Sequence, residues 1–424
     1  MEIAIISMSR MNKRFPRLEH CCEGFCENIA FHPEIYLFLA ALKQEKVEAE
    51  FYNGSLINEK DILEQLEKEK PKKIFYYVNT PYINDKREFM ERLSKISKLY
   101  LIAVPYFWRE KILKEFKFVE DVYYDGEKAL KVDVSNVEID YDKINLTPYL
   151  NSRNYAFPVI VSKYCPYSCT YCVAQKTGLM DRDLSLVKKE LEYLKNKGFK
   201  RVALLGNNLT INKKKFIEIC KIMKELDLEW SGDGRINHMD KEIYDALENS
   251  KGTLLFGVES ANQEILNKIQ KNLTIKQIID NSVELNKRKI PFRYTFMFGF
   301  PWDSEKTAEE MIYLRKKISA LNYHCLFLSP LPGTPLFEEM KKLKLIDEDK
   351  LDFVDFKESY LTPFAETLFL NKECVQKNVK KIMISGALNQ SVIKHIFKTR
   401  KISEYPKMIL KAARIVILGK RNLK

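Results

Sequence analysis

Phe157–Cys172 reads FPVIVSKYCPYSCTYC, an apolar run of strand type followed at once by a loop carrying Cys165, Cys169 and Cys172. Thiolates at i, i+4 and i+7 can wrap one corner of a cubane, because soft sulfur ligands favour iron-sulfur centres. Three ligands leave one iron open, and a substrate's amino and carboxylate groups can chelate an open metal position. Zinc in a structural site wants four ligands, and no other Cys or His lies within twenty residues on either side to complete the set. Three incidental buried thiols in eight residues at the start of a strand-loop-helix unit is the remaining plain alternative.

Downstream the pattern repeats. The helix LSLVKKELEYLKNKG is followed by the strand RVALLG, and the strands LEWSGD, TLLFGVE, FRYTFMFG and HCLFLS each follow a helix. Six such units over about 170 residues are too few for a closed eight-unit barrel and suit an open one, with its site at the C-terminal strand ends. Upstream, EIAIIS, VEAEFYN, KIFYYV, LYLIAV and VEDVYYD alternate with amphipathic segments, which argues for an open parallel sheet. The expected fold is therefore α/β. A doubly wound, Rossmann-like domain occupies 1–135, a partial (β/α)6 TIM-type barrel 152–345, and a helical basic region 346–424.

Composition agrees with a multi-domain globular chain: 424 residues, 46% hydrophobic and 30% charged, with 14 Gly and 15 Pro. The start, MEIAIISMSRMNKRF, places its apolar run before its basic residues, the reverse of a secretory signal, and no run of 18 apolar residues occurs. A reducing, cytoplasmic setting is expected, where nine cysteines read as metal ligands and buried thiols. The net charge of +13 is concentrated at one end. From Asn371 to Lys424 there are 14 Lys/Arg against 2 Asp/Glu, which leaves the preceding residues close to neutral. A nucleic-acid partner is thus not expected. The tail reads as a solvated helix face, a contact for an anionic substrate or peptide, or a peripheral contact with anionic lipid.

The spacing Cys165-x-x-x-Cys169-x-x-Cys172 after a first strand, with an aromatic residue just before the last Cys, resembles the radical SAM superfamily over about Phe157 to Leu345. In that family a reduced 4Fe-4S cluster cleaves S-adenosylmethionine (SAM), and the resulting 5′-deoxyadenosyl radical abstracts hydrogen from a substrate. The resemblance implies cluster ligation by the three cysteines and places Tyr171 beside adenine. Leu205-Gly206-Asn207-Asn208 closes the second strand, where the family contacts the SAM amino group, so Asn207 is a candidate contact; an Asn-rich turn is the alternative. Phe256-Gly257-Val258-Glu259-Ser260 matches the subgroup pair Glu259 and Ser260 at the ribose and methionyl end of SAM. Arg235 matches a family arginine near SAM and is expected to pair with a carboxylate, either Glu259 or that of SAM. Gly299 in Phe298-Gly299-Phe300-Pro301 matches a turn whose backbone approaches adenine, and Leu331-Pro332-Gly333-Thr334-Pro335 matches a closing segment.

The N-terminal half resembles, in pattern, the cobalamin-binding domain that precedes some radical SAM cores. Asn53 stands where an Asp is common, Asp125-Gly126-Glu127 retains a trace of a turn, and no Asp-x-His-x-x-Gly motif occurs. The function implied is radical chemistry on an unactivated carbon, with cobalamin-dependent C-methylation of a natural product, lipid or peptide as the leading form. It would need a reductant such as flavodoxin or ferredoxin. Methylthiotransferase-like RNA modification and a non-catalytic iron-sulfur protein for electron transfer or sensing stay open as alternatives. Cys21, Cys22 and Cys26 are read as incidental or as ligands of an auxiliary cluster. Cys220, Cys325 and Cys374 are expected in the core, and His324, at the start of a strand, as a packed core histidine in preference to a site residue.

Overall fold

A computed structural model describes residues 1–7, 33–78, 82–105, 108–151, 155–163, 165–173, 181–318, 322–352 and 362–387. Two parallel sheets organise it. The first holds β1 (Ile3–Ser7), β2 (Ala49–Asn53), β3 (Lys73–Tyr77), β4 (Lys98–Ile102) and β5 (Val119–Tyr123) in the order β2-β1-β3-β4-β5. The order reverses between β1 and β3, which opens a crevice at the C-terminal ends of these strands. The second holds β6 (Phe157–Ser162), β7 (Arg201–Gly206), β8 (Glu229–Gly234), β9 (Gly252–Glu259), β10 (Phe292–Phe298) and β11 (Asn322–Phe327) in sequential order. Every pairing is parallel. Six units stepping one way give the expected open barrel with β6 and β11 as its edges.

The two faces of the barrel sheet can be read from alternation. On β9, Leu254, Phe256 and Val258 are completely buried, and on β10 so are Phe292, Tyr294, Phe296 and Phe298, all near 0–1% exposure. These side chains meet the helical layer, while Gly257, Glu259, Thr295 and Met297 take the opposite, inner face. Capping side chains fix where the helices begin. Thr274 and Ser304 each form a capping box, and Asp240, Asn262 and Thr334 each accept an N–H at their helix starts.

The sheets share a core through the helix Pro33–Gln44. Its Phe38, Ala41 and Leu42 belong to the same apolar cluster as Phe157 and Val159 of β6. A Cβ added at Gly126 would lie 2.4 Å from the Phe38 ring, so only glycine permits that approach. The connector between the sheets is pinned from inside. Arg182, 1% exposed, donates to Glu190 (2.7 Å) and to the carbonyls of Ile160 (3.0 Å) and Val137 (3.3 Å).

Among the described residues, no helix is long and apolar enough to cross a membrane. The helix Lys372–Ala387 packs on the Glu305–Lys317 helix and β11. The rest of the basic C-terminal region, including YPKMILKAARIVILGK, lies outside the described residues, as do Cys21, Cys22 and Cys26. Cys220 and Cys325 are buried as expected, whereas Cys374 is only half-buried. Burial pushes the Cys220 thiol up to about 12 and raises that of Cys325, which suits inert core thiols.

Candidate functional site

The cysteine loop leaves β6 after a register irregularity at Ile160/Ser162 and lies across the C-terminal mouth of the barrel. Several loops hold its backbone. The Thr170 N–H donates to the Ile269 carbonyl (3.0 Å), and the Leu336 N–H, just past Thr334-Pro335, donates to the Thr170 carbonyl (3.0 Å). Asn207 donates its amide to the Lys163 carbonyl (3.0 Å), so its position at the loop entrance is structural whatever else it touches. Cys169 is buried, and Cys165 and Cys172 are half-buried.

Among the described residues, no three His, Cys, Asp or Glu side chains gather as they would around one metal ion. That does not count against a cubane. In a 4Fe-4S cluster each thiolate binds a different iron, so the three sulfurs surround the cluster without meeting at one point. A partly accessible thiol set on an anchored loop fits such a group.

Tyr171 is the centre of one network. Lys271 Nζ donates to Glu259 Oε1 (2.8 Å) and to Tyr171 Oη (3.0 Å), and the Tyr171 hydroxyl donates to the same Glu259 oxygen (3.0 Å). Lys271 and Glu259 are 8% and 9% exposed at the side chain. Burial, then the Glu259 charge and the neighbouring cysteines, raise the Tyr171 hydroxyl well above its ordinary value, so it remains a donor. Both bonds to Glu259 fall on Oε1, and no described residue donates to Oε2.

The backbone aims Glu259 into the barrel. It sits at φ +68°, opposite a register shift between Thr295 and Phe296. Such bulges re-aim side chains, and a non-glycine residue there carries strain of the order of 1 kcal/mol. Gly257 makes room: a Cβ there would lie 2.3 Å from Glu259 Oε1 and 3.2 Å from Lys271 Nζ.

Here the structure corrects two expectations. Of the two carboxylates expected for Arg235, Glu259 is not its partner: Lys271 pairs with Glu259 through Oε1. The Arg235 guanidinium instead stacks over the Tyr167 ring at 3.7 Å, donates to the Lys271 carbonyl, and places Nη1 3.8 Å from Cys169 Sγ. Ser260 is fully buried, and its hydroxyl accepts the Asn262 N–H (3.1 Å), so it shapes the turn into the next helix and does not share an open face with Glu259.

Gly299 does make the expected turn, at φ +114°. Its N–H and that of Phe300 donate to Asp303 Oδ2 (2.8 and 2.9 Å), and Thr307 donates to Oδ1 (2.9 Å). Burial lifts the Asp303 carboxyl to about 7. Phe300 then packs edge-on to Tyr171, 6.2 Å between centroids.

Polar side chains also take the inner face of the barrel. Asp233 follows Ser231 on the inner face of β8, since Gly232 and Gly234 point at Leu209 and Thr210 on the other side. Burial alone raises its carboxyl to about 6. His324 shares a register row with Thr295 and Gly257, which puts it on the inner face and not in the core; burial and then Arg293 lower its pKa. On the far side of the loop, Lys163 pairs with Glu34, which also accepts from Tyr77 at the end of β3 (2.7 Å). Tyr124, after β5, is raised by burial and then by Cys172. The C-terminal edge of the first sheet thus faces the cysteine loop.

A parallel barrel with a three-thiol loop at its mouth and a second parallel sheet facing that loop is a defined class of α/β protein. Residues 159–314 match the Radical SAM superfamily, and they form a radical SAM domain. An uncharacterized methyltransferase, PH0819 of Pyrococcus horikoshii, is 30% identical over 248 residues, 57% of this chain and 53% of that protein. The bacteriochlorophyllide d C-12(1)-methyltransferase of Chlorobaculum tepidum is 29% identical over 257 residues, 58% of this chain and 56% of that protein. The chain therefore spans about half the length of these curated relatives. The fold is similar over 95% of this chain and 90% of the other to the radical S-adenosylmethionine methyltransferase TsrM from Kitasatospora setae, solved with tryptophan and a SAM analogue (TM-score 0.66, 12% identity). A second TsrM structure, with cobalamin and a [4Fe-4S] cluster bound, has a TM-score of 0.60 at 15% identity, over 81% and 78% of the chains.

Lys271, His238 and Asp303 were not foreseen from sequence. Lys271 lies in a polar loop, QKNLT, where a lysine is unremarked, and Asp303 lies in an ordinary helix-start sequence, WDSE.

Proposed function

We propose that the protein is a radical SAM enzyme that carries a 4Fe-4S cluster on Cys165, Cys169 and Cys172 and methylates an unactivated carbon with the help of cobalamin. The observation that carries this reading is the anchored three-thiol loop packed against the Tyr171–Glu259–Lys271 network. When bound and reduced, these groups supply an electron that cleaves a sulfur–carbon bond of SAM and a carrier for its methyl group.

The chain's own residues do the positioning. Glu259 holds Oε2 toward the barrel mouth, able to accept from a ribose hydroxyl, while Lys271 and Tyr171 keep Oε1 satisfied and the carboxylate fixed. The Tyr171 ring and the Gly299–Phe300 backbone form an apolar wall suited to adenine. The crevice between β1 and β3, which opens toward Glu34, Tyr77 and Lys163, is the position for a corrinoid. A non-catalytic electron-transfer role is disfavoured, because it has no use for an open carboxylate oxygen beside a three-ligand cluster. Methyl donor, reductant protein and substrate approach the same mouth. The substrate class is a carbon compound small enough to reach the inner face near Asp233 and His324. The basic tail supplies a contact for an anionic surface or peptide, tested by co-flotation with anionic liposomes at low salt.

Anaerobic reconstitution with iron and sulfide tests the assignment. The wild type should bind about four irons, produce 5′-deoxyadenosine or transfer a SAM-derived methyl group under dithionite, and retain a corrinoid spectrum when purified with cobalamin. Cys169→Ala should lose cluster and turnover together. Absence of both SAM-derived products in the wild type would refute the reading, and a cluster-loaded protein without corrinoid would remove only the cobalamin part.

A further inference from the structure

Tyr167, two residues before Cys169, has a different set of partners from Tyr171. Its hydroxyl lies 2.6 Å from His238 Nε2, and the opposite ring nitrogen, Nδ1, lies 3.0 Å from Thr210 Oγ1. Thr210 Oγ1 also accepts the Arg235 N–H (3.0 Å) and donates to Asn208 Oδ1 (2.9 Å). A hydroxyl has one hydrogen and two lone pairs. With its hydrogen on Asn208 and one lone pair on the Arg235 amide, Thr210 has one acceptor site left, and that site takes His238 Nδ1–H. Nε2 is then bare and accepts the phenol hydrogen of Tyr167. Burial, and then the Arg235 charge, lower the His238 pKa, consistent with a neutral ring bearing one N–H.

The consequence is geometric. His238 holds Tyr167 by its hydroxyl, and Tyr167 presents its ring face to the Arg235 guanidinium at 3.7 Å. Asn237 Oδ1 accepts from Arg235 Nε (3.2 Å), and the His238 N–H donates to the Arg235 carbonyl (3.1 Å), so the short turn Ile236–His238 fixes both ends of the contact. What remains of the guanidinium points at Cys169 Sγ, 3.8 Å from Nη1.

We propose that His238 is a positioning residue for the cluster: by clamping Tyr167 beneath Arg235, it holds a guanidinium N–H on the Cys169 sulfur and thereby sets how readily the bound cluster is reduced. This inference rests on the reading that Cys165, Cys169 and Cys172 carry a 4Fe-4S cluster. Hydrogen bonds to cluster sulfurs, and the neighbours that orient first ligands, tune reduction potential. An N–H donor stabilises the more negative, reduced state, so loosening it makes reduction harder.

The test is an anaerobic redox titration of the reconstituted protein, followed by electron paramagnetic resonance of the reduced cluster. His238→Leu keeps bulk but removes the acceptor, and Tyr167→Phe removes the donor; each should lower the reduction equilibrium constant about tenfold, ~59 mV for one electron. The double variant should shift no further than either single one, because both act through one bond. His238→Gln retains an acceptor near Nε2 and should restore most of the wild-type potential. If variants with full iron content titrate as the wild type does, or if the double variant shows the sum of two shifts, the positioning role is wrong. A merely structural role would lower iron content in His238→Leu without moving the potential of the cluster that remains, and that outcome also overturns it. Failure of the wild type itself to bind iron and show a cluster spectrum would instead refute the underlying cluster assignment.

Discussion

Tyr167 and Tyr171 flank Cys169 in the same loop, yet they are tied to the barrel by opposite kinds of chemistry. Tyr171 sits in a nearly sealed ionic knot with Lys271 and Glu259. Tyr167 sits in a half-open chain of neutral donors and acceptors through His238 and Thr210, with Arg235 laid on its ring. A buried ion pair tolerates no missing member, because the remaining charge has neither water nor partner. A neutral chain near solvent can substitute water for a lost partner. The two halves of the loop should therefore differ sharply in stability cost, even though both lie within reach of the same cysteine.

Lys271→Met should break the comparison open on the charged side. It strands the Glu259 carboxylate in a site 9% exposed, and removing one member of a buried pair costs about 3–5 kcal/mol. Urea unfolding of the purified protein at pH 7 measures it, and adding Glu259→Gln to the same chain should recover a large part of the loss. A cost below about 1 kcal/mol would mean that the knot is wetter than its geometry indicates.

Asp303→Ala extends the same side outward. It leaves the N–H groups of Gly299 and Phe300 without their acceptor in a fully buried turn, an expected loss of about 2–3 kcal/mol. Asp303→Asn keeps a carbonyl oxygen for both amides and should unfold close to the wild type. Equal behaviour of the two variants would show that the turn is held by Gly299 and Pro301 alone.

Asp233 sharpens the neutral side, since it lies two residues before Arg235 and yet burial alone sets its value. Its folded-state value of about 6 lies above the ordinary 3.8, so the protonated form is favoured by folding. The contribution of Asp233 to stability should be largest below about pH 4, fall as pH rises, and level off above about pH 6 at a cost of about 2–3 kcal/mol. Asp233→Asn should abolish that slope and be more stable than the wild type at pH 8. An unchanged slope in the variant would place the titrating group elsewhere, with Asp303 the next carboxyl of the same sign.

The cysteine loop, the six alternating units and the first-sheet strands were legible because each rests on local pattern: spacing for the thiols, apolar runs for strands buried on both faces. Glu259 was legible as the polar end of an apolar strand. Its partner was not, because Lys271 arrives from a loop twelve residues on, and pairing across a barrel mouth leaves no periodic trace. Arg235 shows how a partner can be hidden when the position is not: sequence supplies its place at the strand end, but of its two expected carboxylates Glu259 is taken by Lys271, which leaves no sequence pattern. Ser260 parts from Glu259 for a related reason. Glu259 adopts φ +68°, so the pair is split by a bulge that sends one side chain to the barrel interior and turns the other to cap the next turn.

Removing one hydroxyl on each side gives the finest comparison, because Tyr167→Phe and Tyr171→Phe are the same chemical change in one loop. Tyr171 Oη donates to Glu259 and accepts from Lys271, so its loss unpairs two buried charged groups in part and should cost about 1.5–3 kcal/mol. Tyr167 Oη hydrogen-bonds to His238 alone among the described residues, and both residues are half-buried. In Phe the ring can still meet the Arg235 guanidinium, but His238 no longer clamps it, so the contact is loosened and not lost. The expected cost is therefore about 0.5–1 kcal/mol, read by the same urea unfolding at pH 7. A Tyr167 loss as large as that of Tyr171 would mean that the neutral chain through Thr210 is as dry as the ionic knot, with Asn208, 1% exposed at its far end, as the reason.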